Sequence, residues 1–433
     1  MSTHVCLRGW KLKNREWEVS GFFASYLELI YMSQVQPLLL ETFVNQSLET
    51  SLSLLDQVKT LSQDFATRAA VHDKDGSFPF ENFTALHQAG LLGLTIPRDL
   101  GGQDLGLASI CQVIEGIARG DASTALVLNM HYLQHAKANR SLSWHPEVYQ
   151  KVCREAIANP ALINAARVEP ELGTPARGGL PATTAQKTPQ GWLLTGHKQY
   201  TTGSPILSYF VVWAKTTEDE TQVGNFLVPR DLPGLRIVET WDHLGMRATG
   251  SHDLILENVL IPDEYALDIR PVAIKSPPDP MTAVWNSLTL SALYLGVATA
   301  ARDWLIEYLG DRTPSNLGTP LASLSRFQIA VGEIEALLYA NRQLIYNLAQ
   351  AVGKGEFEPN VELQAQAVKY LSTTNSIRAV EIGLELIGNP GLMKKNPLER
   401  HYRDVLCSRI HTPQNDVICQ SLGKAALNKS AEC

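Results

Sequence analysis

The chain has 433 residues, of which 45% are hydrophobic and 19% are charged, and its formal net charge is −7. A chain of this length and composition is typical of a globular protein with more than one core, so we expect two or three packed units. The negative charge argues against a nucleic-acid-binding protein, and the lack of an apolar run of roughly 18 residues argues against a membrane-spanning one.

The first 40 residues differ from the rest of the chain. Gly21 to Tyr31 is a short apolar stretch that contains Glu28, and no small-residue cleavage site of a signal peptide follows it. We interpret residues 1–40 as a disordered tail or an overlong start, with Met32 as the natural initiator, because unattached termini are often disordered.

Residues 41–160 carry a helical pattern. Apolar side chains at helical spacing begin the unit, namely Leu55, Val58, Leu61 and Phe65. Further helices are predicted over 80–89, 109–119 and 123–137. We therefore predict an all-helical first unit.

Between residues 161 and 272 the pattern changes to short β-type runs separated by Gly, Pro, Asn and Asp. These runs are Trp192–Gly196, Tyr209–Ala214, Asn225–Pro229 and Leu254–Leu256. Short strands at this spacing predict a small barrel or sandwich.

Residues 273–433 return to helical spacing after a proline-rich linker. Two apolar stripes, within 290–308 and 377–387, are spaced for burial along one helix face. Such helices normally pack into a bundle. The order of helices, strands and helices predicts an α+β fold of three units.

The cysteines indicate a reducing compartment. Six of them are scattered along the chain without a CxxC pair. This pattern is typical of the reduced thiols of a cytoplasmic protein, and it favours neither a disulfide framework nor a metal site. We expect a cytoplasmic protein without a bound metal.

Three segments of the β unit hold residues that bear chemistry. A Gly/Pro loop runs over 168–175, the segment 196–203 reads Gly-His-Lys-Gln-Tyr-Thr-Thr-Gly, and the segment 245–251 reads Gly-Met-Arg-Ala-Thr-Gly-Ser. Glycine-rich loops bring backbone N–H groups close to anionic ligands, and an aromatic ring can stack on a planar cofactor.

The order and spacing of these segments resemble those of the acyl-CoA dehydrogenase family over about residues 50 to 425. The matching family patterns are Thr-Glu-Pro-Gly-Ala-Gly-Ser-Asp, Asn-Gly-x-Lys-x-Trp-Ile-Thr-Asn and Gly-Met-Arg-x-Ser-x-Thr. The resemblance implies an N-terminal helical domain, a central β-barrel or sandwich domain and a C-terminal four-helix bundle. It also implies a bound FAD and a homotetramer.

The resemblance further implies roles for single residues. Flavin contacts fall to Gly173, Thr174, Tyr200 and Thr202, and Arg247 lies in the acyl-binding region. Arg312 stands where the family has an Arg that reaches the FAD pyrophosphate of a neighbouring subunit. Glu385 and Gly388 lie in the segment that cradles the adenosine half of FAD. Glu385 replaces a family Gln, and an acid near a diphosphate is unfavourable when ionised, so FMN is an alternative cofactor.

The expected base is missing. Family dehydrogenation requires a Glu that removes the substrate α-proton, and in most members this Glu aligns with Thr412. In a second branch of the family the Glu aligns with Asn286 instead. Neither residue is a base at neutral pH. Two histidines, His411 and His131, are the candidate catalytic residues, because flavin monooxygenases of this fold, including those of organosulfur compounds, carry comparable histidines that hydrogen-bond the oxygenated flavin or the substrate.

Three functions follow from the resemblance. The first is oxidation of an acyl-CoA thioester at its α,β-carbons, with His411 as base and a flavoprotein as electron acceptor. The second is a two-component monooxygenase, which receives reduced flavin from a reductase and acts on a small organosulfur or organonitrogen substrate. The third is a homologue that binds flavin or acyl-CoA without turnover.

Overall fold

In the computed structural model of the protein, the described residues are 53–141, 143–173, 178–218, 220–274 and 279–429. The interpretation of residues 1–40 therefore lies outside them. The first helix, α1, covers 53–75. It is followed by α2 (Phe80–Gln88), α3 (Leu107–Gly120), α4 (Ala122–Asn139) and α5 (Pro146–Ala158). The helices predicted over 80–89, 109–119 and 123–137 are confirmed.

The start of α4 shows how the sequence sets a helix boundary. Asp121 has an extended backbone, and its carboxylate accepts hydrogen bonds from the N–H groups of Ser123 and Thr124. These bonds satisfy donors that a helix start leaves without partners. Behind this cap, α4 is buried on nearly all sides, so that its polar residues must find partners inside the protein.

The middle of the chain forms one mixed sheet of eight strands. The strands are β1 (Leu162–Ala166), β2 (Thr184–Thr188), β3 (Gly191–Thr201), β4 (Leu207–Thr216), β5 (Gln222–Pro229), β6 (Leu235–Val238), β7 (His252–Ile261) and β8 (Arg270–Pro271). Their order is β6-β7-β3-β2-β4-β5-β8, and β1 pairs with β4. The pairings of β4 with β1 and β2 are parallel, and the others are antiparallel. The four β runs expected from the sequence lie within β3, β4, β5 and β7.

The remaining elements are helical. They are α6 (Pro280–Asp311), α7 (Ser325–Lys354), α8 (Val361–Ile387), α9 (Asn389–Leu392), α10 (Leu398–Leu406) and α11 (Asn415–Lys429). The α+β fold class is thus confirmed. The domain boundaries at 160 and 272 stay predictions, with the change from helix to strand between Ala158 and Leu162 and the return to helix at Pro280.

Helix α6 is central to the packing. It contacts α3, α4, α7, α8 and α10. Gly296 allows the contact with α3, because a Cβ atom there would lie 2.4 Å from the carbonyl oxygen of Glu115. In the described part of the chain, α6 is also the one helix whose length and composition would suit a membrane span, but 72% of its most apolar window is buried in the protein, as in the core helix of a folded domain.

Candidate active site

A buried ion pair anchors the loop that carries Gly173. Lys198 in β3 donates from Nζ to Oε1 of Glu169 over 2.6 Å, and both side chains are buried. Glu169 also accepts hydrogen bonds from Thr183 and from the Ala182 N–H. Burial alone would raise the pKa of Glu169, but these donors, with Lys198 foremost, hold it below its usual range. The Glu and Lys of the two sequence segments therefore tie the loop to the sheet.

Gly173 lies at the end of this tied loop. Its N–H donates to the Glu169 carbonyl over 2.9 Å, and its φ is +68°, a conformation that favours glycine. No atom of the described residues lies within 4 Å of the position that a Cβ atom would take. These residues therefore leave the Gly173 backbone open to a ligand, as a flavin contact would require. Thr174 lies outside the described residues.

Tyr200 belongs to a group of three aromatic rings. The register of β3 shifts between Lys198 and Thr201, and Tyr200 adopts a φ of +56° there, with about half of the residue exposed. Its ring meets Trp241 and His243 edge-on, with centroids 6.3 and 5.8 Å away, while Trp241 and His243 stack at 3.6 Å. A positive φ at a residue other than glycine costs energy, and such residues cluster at functional sites.

A chain of hydroxyl groups starts at Thr202. Its Oγ1 lies 2.9 Å from Oγ of Ser251, which lies 2.8 Å from Oγ1 of Thr249. The Asn164 amide donates to the Thr202 carbonyl over 3.0 Å and fixes this backbone. The aromatic group offers flat faces to a planar ring, and the hydroxyl chain offers donors and acceptors to its polar edge. The residues present fit a flavin ring.

The segment 245–251 is attached to α10. Met246 donates its N–H to Oδ1 of Asp404 over 2.7 Å. Gly245 lies against the Arg403 main chain, where a Cβ atom would come within 2.3 Å of the carbonyl oxygen. Burial raises the pKa of Asp404 to about 7 even though the Met246 N–H and nearby arginines oppose the rise. Arg403 itself does not pair with Asp404; it binds Asp73 at 2.6 Å and Glu399 at 2.7 Å.

Arg247 is held by protein groups. Its Nε donates to the Asp73 carbonyl over 2.7 Å, and one terminal nitrogen donates to the His243 carbonyl over 2.9 Å and to Asp242. The guanidinium thus joins α1 to the loop that precedes the short 3-10 turn of residues 247–249. These contacts support a structural role, and its role in substrate binding stays a prediction.

His411 lies between α10 and α11, and Tyr294 of α6 fixes its ring. The Tyr294 hydroxyl lies 2.9 Å from Nδ1 of His411. Tyr294 is fully buried, and burial raises the pKa of its phenol well above the usual value, so that the hydroxyl keeps its proton. His411 is its only hydrogen-bond partner in the described part of the chain, so the hydroxyl donates to Nδ1. A neutral His411 then carries its proton on Nε2.

The electrostatics around His411 keep the imidazole neutral. Burial and the nearby Lys369 ammonium lower the pKa of His411 to about 3. A weakly basic imidazole is a poor acceptor for a substrate α-proton at neutral pH. Such a ring can still donate a hydrogen bond from Nε2. The arrangement therefore favours a donor over a base.

His131 is fully buried in α4, and both of its ring nitrogens are engaged. Nε2 lies 2.9 Å from the Leu92 carbonyl, and Nδ1 accepts from the N–H of Ile163 over 3.3 Å. Burial lowers its pKa to about 4. This histidine joins α4 to β1 and to the 91–93 turn, which supports a structural role. Its catalytic role stays a prediction.

The residues expected around the distal half of FAD lie on the helical surface. Arg312 is exposed where α6 ends. Glu385 is exposed and pairs with Arg378 at 3.1 Å, and Gly388 is exposed at the end of α8 with a φ of +65°. The described residues give these three no contact with Tyr200 or Thr202. Their cofactor roles stay predictions.

The sequence interpretation missed three contributors to the site. Trp241 and His243 come from a loop without a recognisable pattern, so their stacking is visible only in three dimensions. Lys369 lies on the buried face of α8 and donates to the backbone around Thr412. A single lysine among the apolar and small residues of a buried helix face is a signal that the sequence contained.

Comparison with known proteins agrees with this geometry. The models of the N-terminal, middle and C-terminal domains of acyl-CoA dehydrogenase match residues 49–138, 165–259 and 288–415. The chain is 34% identical to a provisionally named acyl-CoA dehydrogenase, YdbM of Bacillus subtilis (strain 168), over 86% of this chain and 96% of that protein. It is 29% identical to the amino sugar nitrososynthase RubN8 of Streptomyces rubradiris, over 80% and 82% of the two chains. The structure of KijD3 in complex with FMN and a dTDP-linked amino keto sugar superposes with a TM-score of 0.76 at 26% identity, over 87% of this chain and 94% of that one. This chain belongs to the acyl-CoA dehydrogenase family.

Proposed function

We propose that this protein is a flavin-dependent monooxygenase of the acyl-CoA dehydrogenase family and that it acts on a small organonitrogen or organosulfur substrate. The observation that carries the proposal is the contact of His411 with the buried Tyr294 hydroxyl, which lies 2.9 Å from Nδ1. We infer from it a neutral imidazole with its proton on Nε2. This group is a hydrogen-bond donor rather than a base.

The two places where the family keeps its base support the same conclusion. Thr412 stands at one and Asn286 at the other, and the Asn286 amide donates to the Thr412 carbonyl over 2.7 Å. The side chain of Asn286 is thus bonded to the main chain of Thr412, and neither residue has a carboxylate. Removal of an α-proton needs a base within hydrogen-bond reach. Oxygen transfer to a nitrogen or sulfur lone pair does not need that base.

The remaining chemistry comes from the cofactor and a partner. Reduced flavin, when bound, supplies two electrons to O2, so that one oxygen atom enters the substrate and the other leaves as water with two protons. In this proposal Tyr200 and Thr202 orient the ring, and His411 donates a hydrogen bond towards the reacting oxygen or the substrate. A flavin reductase is the proposed electron source, and FMN or FAD is the proposed flavin.

The relatives lend support to both family reactions. RubN8 is named for making nitroso sugars from amino sugars, and KijD3 was solved with FMN and an amino keto sugar nucleotide, which favours oxidation at nitrogen. The name of YdbM favours acyl-CoA dehydrogenation. That reaction is the second candidate, and it would require His411 to act as the base.

One experiment with two arms separates these reactions. The full-length protein is loaded with FMN or FAD, and the oxidised form is mixed without air with butyryl-CoA and octanoyl-CoA; we expect no bleaching of the flavin. The reduced form is then mixed with 18O2 and panels of primary amines and aryl sulfides, and we expect one 18O atom in a product. Bleaching in the first arm without label in the second would refute the proposal.

A matched pair of variants tests the role of His411. His411→Ala should abolish label incorporation while flavin stays bound. This substitution removes the hydrogen-bond donor at Nε2 and leaves the aromatic group around Tyr200 intact. His145→Ala removes an exposed imidazole without a described hydrogen bond and should leave incorporation unchanged. Equal activity of both variants would reject the assigned role.

We further propose that the protein forms a homotetramer, as is usual in the family, and that it is cytoplasmic, as its scattered cysteines favour. Exposed apolar side chains on α7 support an assembly, since Ile329 is 72% and Tyr339 is 64% exposed in the single chain. Light scattering on the purified full-length chain measures the mass, and a monomer at micromolar concentration would contradict the assembly. A reporter fusion imaged in the source cells tests the location.

A further inference from the structure

Lys369 occupies an unusual position. It lies in α8, and no part of its side chain is exposed. Its ammonium donates to the carbonyl of His411 over 3.0 Å and to the carbonyl of Pro413 over 2.8 Å. These carbonyls flank Thr412, the position at which the family keeps its base. The lysine therefore binds the main chain of this segment on both sides of that residue.

The ammonium is buried without a paired carboxylate among the residues that the structure describes. Burial alone lowers the pKa of Lys369 to about 8. Burial of an ammonium without a paired charge is expensive, and a leucine or methionine would fill this space without that cost. A buried charge at this place therefore calls for a function that an apolar residue would not provide.

Neighbouring groups complete the arrangement. Asn286 of α6 donates to the Thr412 carbonyl over 2.7 Å, so the three consecutive carbonyls of residues 411–413 each accept a hydrogen bond from α6 or α8. Tyr294, also of α6, binds the His411 ring at Nδ1. Backbone and ring are thus fixed by separate contacts.

We propose that Lys369 is a positioning residue of the active site: its ammonium fixes the main chain on both sides of Thr412 and so sets the position of His411. What His411 then does rests on the function proposed above. The position and the charge state of His411 do not depend on that proposed function, and they are measured without an activity assay.

The titratable groups near His411 agree with this role. Tyr294 faces it from α6 and Lys369 from α8, while Asp404 of α10 and Cys407, which directly follows α10, lie close enough to Tyr294 to raise the pKa of that phenol. Lys369 is the cation of this group that acts on His411 directly. A positive charge at this place opposes a second positive charge on the imidazole, because like charges close together disfavour ionisation. Removal of the ammonium should therefore raise the pKa of His411.

The test is histidine NMR on the full chain, with ring 13C and 15N labels and with His411 assigned from the signal lost in His411→Gln. In the wild-type protein we expect a neutral ring with the proton on Nε2 at all pH values between 5 and 9. In Lys369→Met the pKa of His411 should rise by at least one unit from about 3, so the titration is followed down to pH 3. Lys369→Arg keeps the charge and should return the pKa of His411 to its wild-type value.

Further variants separate charge from packing. Lys369→Gln keeps an N–H donor for the carbonyls without a charge, so it should raise the pKa of His411 and disturb the Thr412 amide signal less than Lys369→Met does. Lys394→Met removes an exposed lysine and should change neither signal. An unchanged His411 titration and Thr412 amide in folded Lys369→Met or Lys369→Gln would overturn the proposal. If the NMR result holds and oxygen incorporation is absent, the proposed function fails and the positioning role stands.

Discussion

The buried pair of Glu169 and Lys198 permits a quantitative prediction. Lys198→Met removes one partner and leaves the Glu169 carboxylate in the protein interior with donors from Thr183 and Ala182 alone. The Trp213 carbonyl also loses the hydrogen bond that Lys198 donates over 2.6 Å. Removal of one partner of a buried ion pair typically costs about 3–5 kcal/mol of unfolding free energy. We expect a loss of this size.

A second substitution identifies the cause of that loss. Glu169→Gln combined with Lys198→Met removes the remaining charge and keeps an oxygen that accepts from Ala182 or Thr183. The double variant should therefore be more stable than Lys198→Met alone, with a coupling energy of about 1–3 kcal/mol between the two positions. Urea unfolding followed by tryptophan fluorescence measures all forms.

The control is an exposed ion pair on the same sheet. Lys187 pairs with Asp263 at the surface, and both side chains are well exposed to solvent. Exposed pairs contribute about 1 kcal/mol or less, so Lys187→Met should have a small effect. Equal losses in Lys187→Met and Lys198→Met, or a double variant no more stable than Lys198→Met, would refute this account of the pair. Flavin content should fall in Lys198→Met and stay unchanged in Lys187→Met, because only the first substitution removes the anchor of the loop with Gly173.

Three further predictions concern the histidines and the missing base. In the unfolded chain His131 takes up a proton below pH 6.5, whereas in the folded protein it does so only near pH 4. The free energy of unfolding should therefore fall by up to about 3 kcal/mol as the pH is lowered from 6.5 to 4. In His131→Gln this pH dependence of the unfolding free energy should be weaker, and an unchanged dependence would contradict the contacts of this residue. Tyr294→Phe removes the donor to His411 Nδ1 and should lower the free energy of unfolding by about 1 kcal/mol. NMR should then show a mixture of His411 tautomers, and an unaltered single tautomer would mean that a group other than Tyr294 fixes the tautomer. Thr412→Glu restores a carboxylate at the family position, yet we expect no anaerobic bleaching by butyryl-CoA; bleaching would favour the dehydrogenase reaction.

The fold was predictable because its signals are local. Apolar spacing along α3, α4, α6 and α8, and the short runs of β3, β4, β5 and β7, depend on neighbours within one element. Gly173 likewise marks a turn with a positive φ that favours glycine, and Gly245 marks a close approach of two segments that leaves no room for a side chain. Secondary structure and family therefore followed from periodicity and from the order of the segments.

The site was less predictable because its partners come from distant parts of the chain. The same chemical group, an imidazole on or beside a helix, has different surroundings in the two candidate positions. His131 meets the Leu92 carbonyl and the Ile163 N–H, which lie 39 and 32 residues away, while His411 meets Tyr294, 117 residues away. Arg247 likewise binds the Asp73 carbonyl, 174 residues away. Spacing along the sequence contains no information about such partners.

The attachment of Met246 has a consequence for engineering the pocket. Its carbonyl accepts from Trp241 and from Thr249, while its N–H donates to Asp404. One residue therefore joins the aromatic group, the hydroxyl chain and the helix that leads to His411. Substitutions in the segment 245–251 and in α10 should then interact rather than add, since sites that share a partner are coupled. Variants of this region are therefore best made in both segments together, because Met246 transmits a displacement of one segment to the other.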